Sequence, residues 1–363
     1  MKKFKNIEFL RIIGCCAIVL LHLFSRARYF PTFKTIDLYA AMNKMTSNGQ
    51  KAVDLFFIIS GFLFALNFKK DEPITSFLKR KFIRFYPVLL FCFVAFFLVS
   101  FTGAIDFHWY DNILNLLCLD GTVLVLRYGN NGLFWYVSSM MWTFVLFSYL
   151  LKNYEKKNVD LFITLAVFFC YGFILHARNG AINFPRQTYY NIFNVGVMRA
   201  IGGIGLGYII SEWYKTYGEK IDCAVLSFKQ KFLVTCLEAL CLFFTIYALM
   251  LHRISFNNNI VFIVCFAIML MLFISKKGYI SQFLEKDYWK YASRYTYSIF
   301  MTHQIVCFSL KELLMARYPN FVYSHPVANI FLILTCVLLL GIATYHLVEK
   351  PAANYLSKKL NGN

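Results

Sequence analysis

The chain has 363 residues, of which 59% are hydrophobic and only 15% charged, with a formal net charge of +19. A soluble domain carries roughly 25% charged residues, so this composition excludes an ordinary soluble protein. It points to a polytopic helical membrane protein, an all-α transmembrane bundle. The cations fall in clusters between apolar runs, as the short cytoplasmic loops of such a protein require. They do not gather on one polar domain, which argues against nucleic-acid binding.

The first segment opens with Lys2, Lys3 and Lys5 ahead of an apolar run, like a signal peptide. Glu8 and Arg11 leave almost no apolar stretch before Cys15, so a retained span is expected. Apolar runs predict about ten spans: 7–24, 52–68, 84–103, 133–152, 159–176, 191–212, 231–251, 257–275, 293–310 and 326–347. Each approaches the ~20 residues that cross a bilayer. The second and ninth are short or polar-rich and are candidates for half-buried or broken spans. Lysine and arginine placement puts both termini in the cytoplasm. Two long outside loops result, 25–51 and 104–132, and "WYDNILNLLCLDG" in the second has the spacing of a short interfacial helix. The whole chain, 1–363, reads as one membrane-embedded domain. Nine of the eleven cysteines lie inside apolar runs, without a paired CxxC pattern, and read as small buried apolar residues. No metal site is expected.

Ionisable residues inside membrane spans are costly and are functional candidates for that reason. In "RIIGCCAIVLLH", Arg11 and His22 stand eleven positions apart. At about 100° per residue they share one helix face, about 16 Å apart along the axis. They either line one groove, or Arg11 snorkels to the surface and His22 anchors at an interface. "VDLFFIISGFL" brings Asp54, placed to accept from a basic neighbour, and Ser60 beside Gly61, a pair that permits close helix approach. In "FLKRKFIRFYP", Arg80, Lys81 and Arg84 form a cationic face, either a positive-inside flank or a phosphate-holding surface. Tyr86 precedes a proline, which predicts a bend or helix start there. Arg199 sits in "FNVGVMRAIGGIGLGYII", buried with a partner or lining a cavity. His303 lies in "YTYSIFMTHQIV". Glu349, in "HLVEKPAANYL", is expected to end the last helix and pair with a base.

Together these segments resemble the acyltransferase 3 family of integral membrane acyltransferases, over nearly the whole chain. Arg11 and His22 match its Arg, ten residues, His pattern. "VDLFFIISGFL", "FLKRKFIRFYP", "LFWYVSS" with Trp135, "YSIFMTH" and "VEKP" resemble its further motifs in the same order. Lys81 and Arg84 stand where the family often has Arg-x-x-Arg, and Met140 where many members carry Glu, which leans toward polysaccharide-modifying members. The resemblance implies transfer of an acyl group, usually acetyl, from cytosolic acetyl-CoA to a hydroxyl of a surface polysaccharide or lipid-linked glycan. Such acceptors are lipopolysaccharide, O-antigen, capsule or exopolysaccharide, and the place is a bacterial cytoplasmic membrane.

On that reading His22 is the catalytic base or an acyl carrier. Asp54 orients a base or Arg11. Arg11, Arg80, Lys81 and Arg84 bind the donor, and Ser60, Trp135, Arg199 and His303 are candidates for the substrate cavity. A transporter of polysaccharide or lipid-linked glycan is the competing reading, since buried charges and glycine-rich spans suit transporters as well.

Overall fold

In a bilayer every backbone N–H and C=O must be satisfied within the protein, and a helix does this inside one segment. The computed structural model describes residues 4–25, 42, 44–103, 105–120, 130–182, 187–190, 192–250 and 259–361. These are almost entirely helical. In chain order the elements are α1 (Lys5–Ser25), a 3-10 turn (Gly49–Lys51), α2 (Ala52–Leu66), α3 (Ile74–Ser100), α4 (Trp109–Leu116), α5 (Phe134–Asn153) and α6 (Lys156–Ala177). A two-stranded antiparallel ribbon follows, β1 (Thr188–Tyr189) with β2 (Phe193–Asn194). Then come α7 (Val195–Cys223), α8 (Phe228–Met250), α9 (Ile260–Ser275), α10 (Tyr279–Phe283), α11 (Asp287–Ser293) and α12 (Thr296–Gln304). A π-helical segment (Ile305–Leu310) leads to α13 (Lys311–Arg317), α14 (Pro319–Ser324), α15 (Pro326–Thr344), a second π segment (Tyr345–Glu349) and α16 (Lys350–Asn361).

Among the described residues, nine helices are long and apolar enough to cross a membrane, and Ile260–Ser275 is a shorter apolar helix. They coincide with the ten expected spans. Along α3, Leu90, Val94, Leu98 and Phe101 are exposed, an outward apolar stripe that suits lipid rather than water. Cys16 and Cys236 are likewise exposed on such surfaces rather than buried as expected, while Cys15, Cys92, Cys170, Cys241 and Cys307 are buried.

Two boundaries differ from the sequence reading, and one expected break is present. The third span does not start or bend at Tyr86. It begins at Ile74, after Pro73 at φ −55°, and continues through the buried Pro87. An interior proline costs one hydrogen bond but is tolerated where neighbouring helices enclose it. The last helix does not stop at Glu349, because the π segment feeds directly into α16 and Pro351 takes a first-turn position, where its missing N–H matters least. The ninth span is interrupted by a π segment, in keeping with its polar sequence. The loop at 104–132 contains the expected short helix, α4. Most of the other long loop, including the cations from Arg26 to Lys34, lies outside the described residues.

The chain gathers into two compact units. The first comprises Met1–Ile18, Lys44–Glu72 and Trp142–Ser293; the second comprises Val19–Asn43, Pro73–Met141 and Arg294–Asn363. In the first, α2 and α7 press backbone to backbone. A Cβ on Gly61 would stand 2.1 Å from the Ile204 carbonyl oxygen, and one on Gly207 2.1 Å from that of Ile58. Glycine alone admits this approach. The start of α7 is capped by Asn194, whose side chain accepts from the Val197 N–H at 3.1 Å. In the second unit α12 lies between α3 and α15. Tyr297 donates to the Phe85 carbonyl at 2.9 Å, and Gly341 on α15 sits against the backbone of Ile299.

Candidate active site

The second unit brings together two imidazoles from distant parts of the sequence. His22 lies near the C-terminal end of α1, half-buried, and His303 lies on α12, fully buried. His22 Nδ1 and His303 Nε2 are 2.9 Å apart, a hydrogen bond of ordinary length. His303 Nδ1 reaches the Ile299 carbonyl one turn back, at 3.3 Å. The other nitrogen of His22, Nε2, faces the side-chain amide nitrogen of Gln304 at 3.3 Å. Gln304 Oε1 in turn accepts from the Gly132 N–H at 2.8 Å. Beside it, Asn131 donates to the Met301 carbonyl at 3.0 Å. The segment just before α5 is therefore tied to α12, the helix that carries His303.

The surroundings of the pair are aromatic and cationic. Phe308, on the π segment, meets the His22 ring edge-on with centroids 5.9 Å apart. Trp135, Tyr136, Phe300 and His303 follow one another in a chain of ring contacts. Lys311 is buried and its ammonium donates to the Leu23 carbonyl at 3.1 Å, next to His22 in sequence. The π turn between His303 and Lys311 is a rare helix defect that occurs mainly at functional sites. Further along α12, Ser298 donates to Glu349 at 2.5 Å. Arg84 acts electrostatically on both Glu349 and Tyr297. Glu349 thus meets a hydroxyl donor and the field of a base on α3. Arg80 and Arg84 are exposed and Lys81 half-buried, and each lies within 6 Å of an aromatic ring on the same helix.

The remaining sequence candidates fall in the first unit. Asp54 and Arg199 are both fully buried and form a two-point ion pair, Nη2 to Oδ2 at 2.6 Å and Nε to Oδ1 at 3.2 Å. The same guanidinium donates to the Gln50 carbonyl at 3.1 Å. The base that meets Asp54 is therefore Arg199 and not Arg11, whose guanidinium lies 3.3 Å from Glu8. Ser60 is half-buried beside the Gly61 contact.

The structure joins His22 to His303 and Asp54 to Arg199. Gln304 and Lys311, buried polar residues that reach His22 and its neighbour Leu23, escaped the sequence reading. Gln304 was visible as a polar residue inside an apolar run directly after His303. At about 100° from its neighbour on an ideal helix, it does not share that residue's face. Lys311 carries no sequence signal, because a lysine after a span reads as a flank.

Chemically, a hydrogen-bonded imidazole pair with one ring buried and the other half-buried is of a kind that can move a proton. The fold defines a multi-pass membrane protein, and one of its units holds a hydrogen-bonded imidazole pair among its helices. The chain belongs to the acyltransferase 3 family, whose acyltransferase-domain pattern matches residues 4–346 and so runs across both units. No curated protein and no solved structure matches it. The protein is a membrane acyltransferase.

Proposed function

We propose that the protein is an O-acetyltransferase of a bacterial cytoplasmic membrane, moving an acetyl group from cytosolic acetyl-CoA to a hydroxyl of a surface polysaccharide or lipid-linked glycan. The observation that carries the reading is the His22–His303 hydrogen bond inside a chain of this family. A sugar hydroxyl is a weak nucleophile near neutral pH, and a positioned imidazole removes its proton as the oxygen attacks. In this reaction the hydroxyl proton passes to His22, the oxygen bonds to the acyl carbonyl carbon, and the thioester C–S bond breaks. The departing thiolate takes the proton back from His22, so the histidine is regenerated. His303 accepts a hydrogen bond from His22 and steadies the ring while charge develops on it, much as a carboxylate does in hydrolytic triads.

The positive-inside pattern supports both termini in the cytoplasm. On that topology Arg80, Lys81 and Arg84 sit at the cytoplasmic start of the third span, suited to the phosphates of coenzyme A. Arg11 keeps this role as a candidate in the first unit, its ion pair with Glu8 being a part-exposed and therefore weak competitor. Asp54 is occupied by Arg199, and we assign that pair to holding α2 against α7 rather than to proton transfer. A glycan transporter, the competing reading, gives the imidazole pair no task and does not account for family membership.

The test is mass spectrometry of surface glycans from cells with and without the protein. An added mass of one acetyl group on a defined sugar, only when the protein is present, is the expected result. Identical glycans in both, or net glycan flux without covalent change, would overturn the reading.

A further inference from the structure

The hydrogen bonds around His22 form one chain whose two ends are backbone groups of fixed character. At one end is the Gly132 N–H, which can only donate; at the other is the Ile299 carbonyl, which can only accept. Everything between them follows. Because Gly132 donates to Gln304 Oε1, the Gln304 amide cannot be flipped, and its nitrogen faces His22 Nε2 as a donor. His22 Nε2 therefore carries the lone pair, and its ring hydrogen is on Nδ1. That hydrogen goes to His303 Nε2, which carries the second lone pair. The His303 hydrogen is then on Nδ1, where it meets the Ile299 carbonyl. Along these contacts each ring carries one hydrogen, each ring hydrogen has an acceptor, and the two fixed ends set the direction of donation.

We infer that Gln304 is a positioning residue. Its carboxamide, oriented by the Gly132 amide, directs the lone pair of His22 onto Nε2 and is the group that an acceptor hydroxyl displaces there. The inference rests on the proposed function for the identity of that hydroxyl, but the tautomer stands on geometry alone. The 3.3 Å separation of Gln304 and His22 is at the long end for a hydrogen bond. By contrast, the 2.8 Å contact to Gly132 is short. Gln304 is thus held firmly at its oxygen and loosely at its nitrogen, so a hydroxyl can replace the weak contact without loosening the strong one. The same bond links two sequence motifs, since Gly132 immediately precedes "LFWYVSS" and Gln304 ends "YSIFMTHQ". A shift of the 130–132 segment on acceptor binding would reach His22 through this side chain. Lys311 also reaches the end of α1, where its ammonium donates to the Leu23 carbonyl.

The test uses the full-length protein in membranes, labelled with 15N at histidine, with His22→Ala identifying the His22 signals. Wild type is expected to show His22 with a bare Nε2 and a protonated Nδ1. Gln304→Glu keeps an acceptor for Gly132 but presents a carboxylate to His22 Nε2. It is expected to place a hydrogen on that nitrogen and to lower kcat for acetyl transfer by roughly tenfold or more, leaving the KM for acetyl-CoA unchanged. Gln304→Met is expected to leave Nε2 bare but shift its resonance, as the donor is lost. A purely structural glutamine would give an unchanged His22 spectrum in Gln304→Glu. A wild-type His22 protonated on Nε2, or His22 resonances and kcat unmoved in Gln304→Glu, would overturn the inference. Should Gln304→Glu not accumulate, the wild-type spectrum and an unmoved Nε2 resonance in Gln304→Met decide it. A bare Nε2 in a protein that acetylates no glycan would instead sink the proposed function and leave the tautomer assignment standing.

Discussion

Each unit holds a polar pair that joins distant parts of the sequence, Asp54–Arg199 in one and His22–His303 in the other, and the two pairs differ in kind. In the first, Asp54 and Arg199 are both charged and fully buried, and meet at two points. In the second, His22 and His303 meet through one hydrogen bond, one ring is half-buried, and Nε2 of His22 faces the Gln304 amide at 3.3 Å. A two-point ion pair between α2 and α7, at helices whose glycines already touch, fixes an interface. On the proposed function, the imidazole contact at the end of α1 serves proton transfer instead. Buried polarity alone therefore does not mark catalysis; the pairs differ in charge and in the number of contacts that join them.

Breaking the ion pair is expected to have the largest effect on the folded protein. Arg199→Leu leaves the Asp54 carboxylate buried and unpaired, costing about 3–5 kcal/mol. Thermal unfolding in detergent should show a large loss of stability. The double change Asp54→Leu with Arg199→Leu should recover much of it, since no charge is orphaned. A double variant as damaged as the single one would mean that the pair does more than hold the helices.

Closing the glycine contact comes next. Gly61→Ala places a methyl group 2.1 Å from the Ile204 carbonyl oxygen, so α2 and α7 must separate. A cost of about 1–3 kcal/mol is expected from overpacking, read by the same unfolding assay. His303→Leu sharpens the other side of the comparison. It should remain folded but lose acetyl transfer by roughly a hundredfold, the scale of acid–base assistance. An active His303→Leu would reduce the second pair to packing.

The smallest effect is expected at the third span. Arg84→Ala should weaken acetyl-CoA binding by roughly tenfold, the worth of one charge-assisted hydrogen bond. Calorimetry or displacement of a labelled donor measures this. Unchanged affinity would assign Arg84 to its electrostatic partnership with Glu349 instead.

The helical spans were legible in the sequence because apolar length is a strong signal in a membrane protein. The family was legible because its motifs recur in order. Helix ends were less so: a bend or start was expected at Tyr86 and an end at Glu349, yet helix runs through both Pro87 and Pro351. Arg199 was expected to be buried with a partner, but nothing in the sequence named Asp54 as that partner, 145 residues away. His22 stood out by its spacing from Arg11. Its pairing with His303, 281 residues on, depends on how α1 and α12 meet, which periodicity does not encode. Gln304 matters only through its hydrogen-bond direction, and that direction is set by a backbone amide at Gly132.

The central claim is that His22 is the base in acetyl transfer. The direct measurement is acetyl incorporation into surface glycan by cells carrying His22→Ala, with folding of the variant verified by its unfolding temperature and membrane yield. Folded protein with acetylation reduced by roughly a hundredfold or more is the expected result. Folded protein with wild-type acetylation would contradict the account.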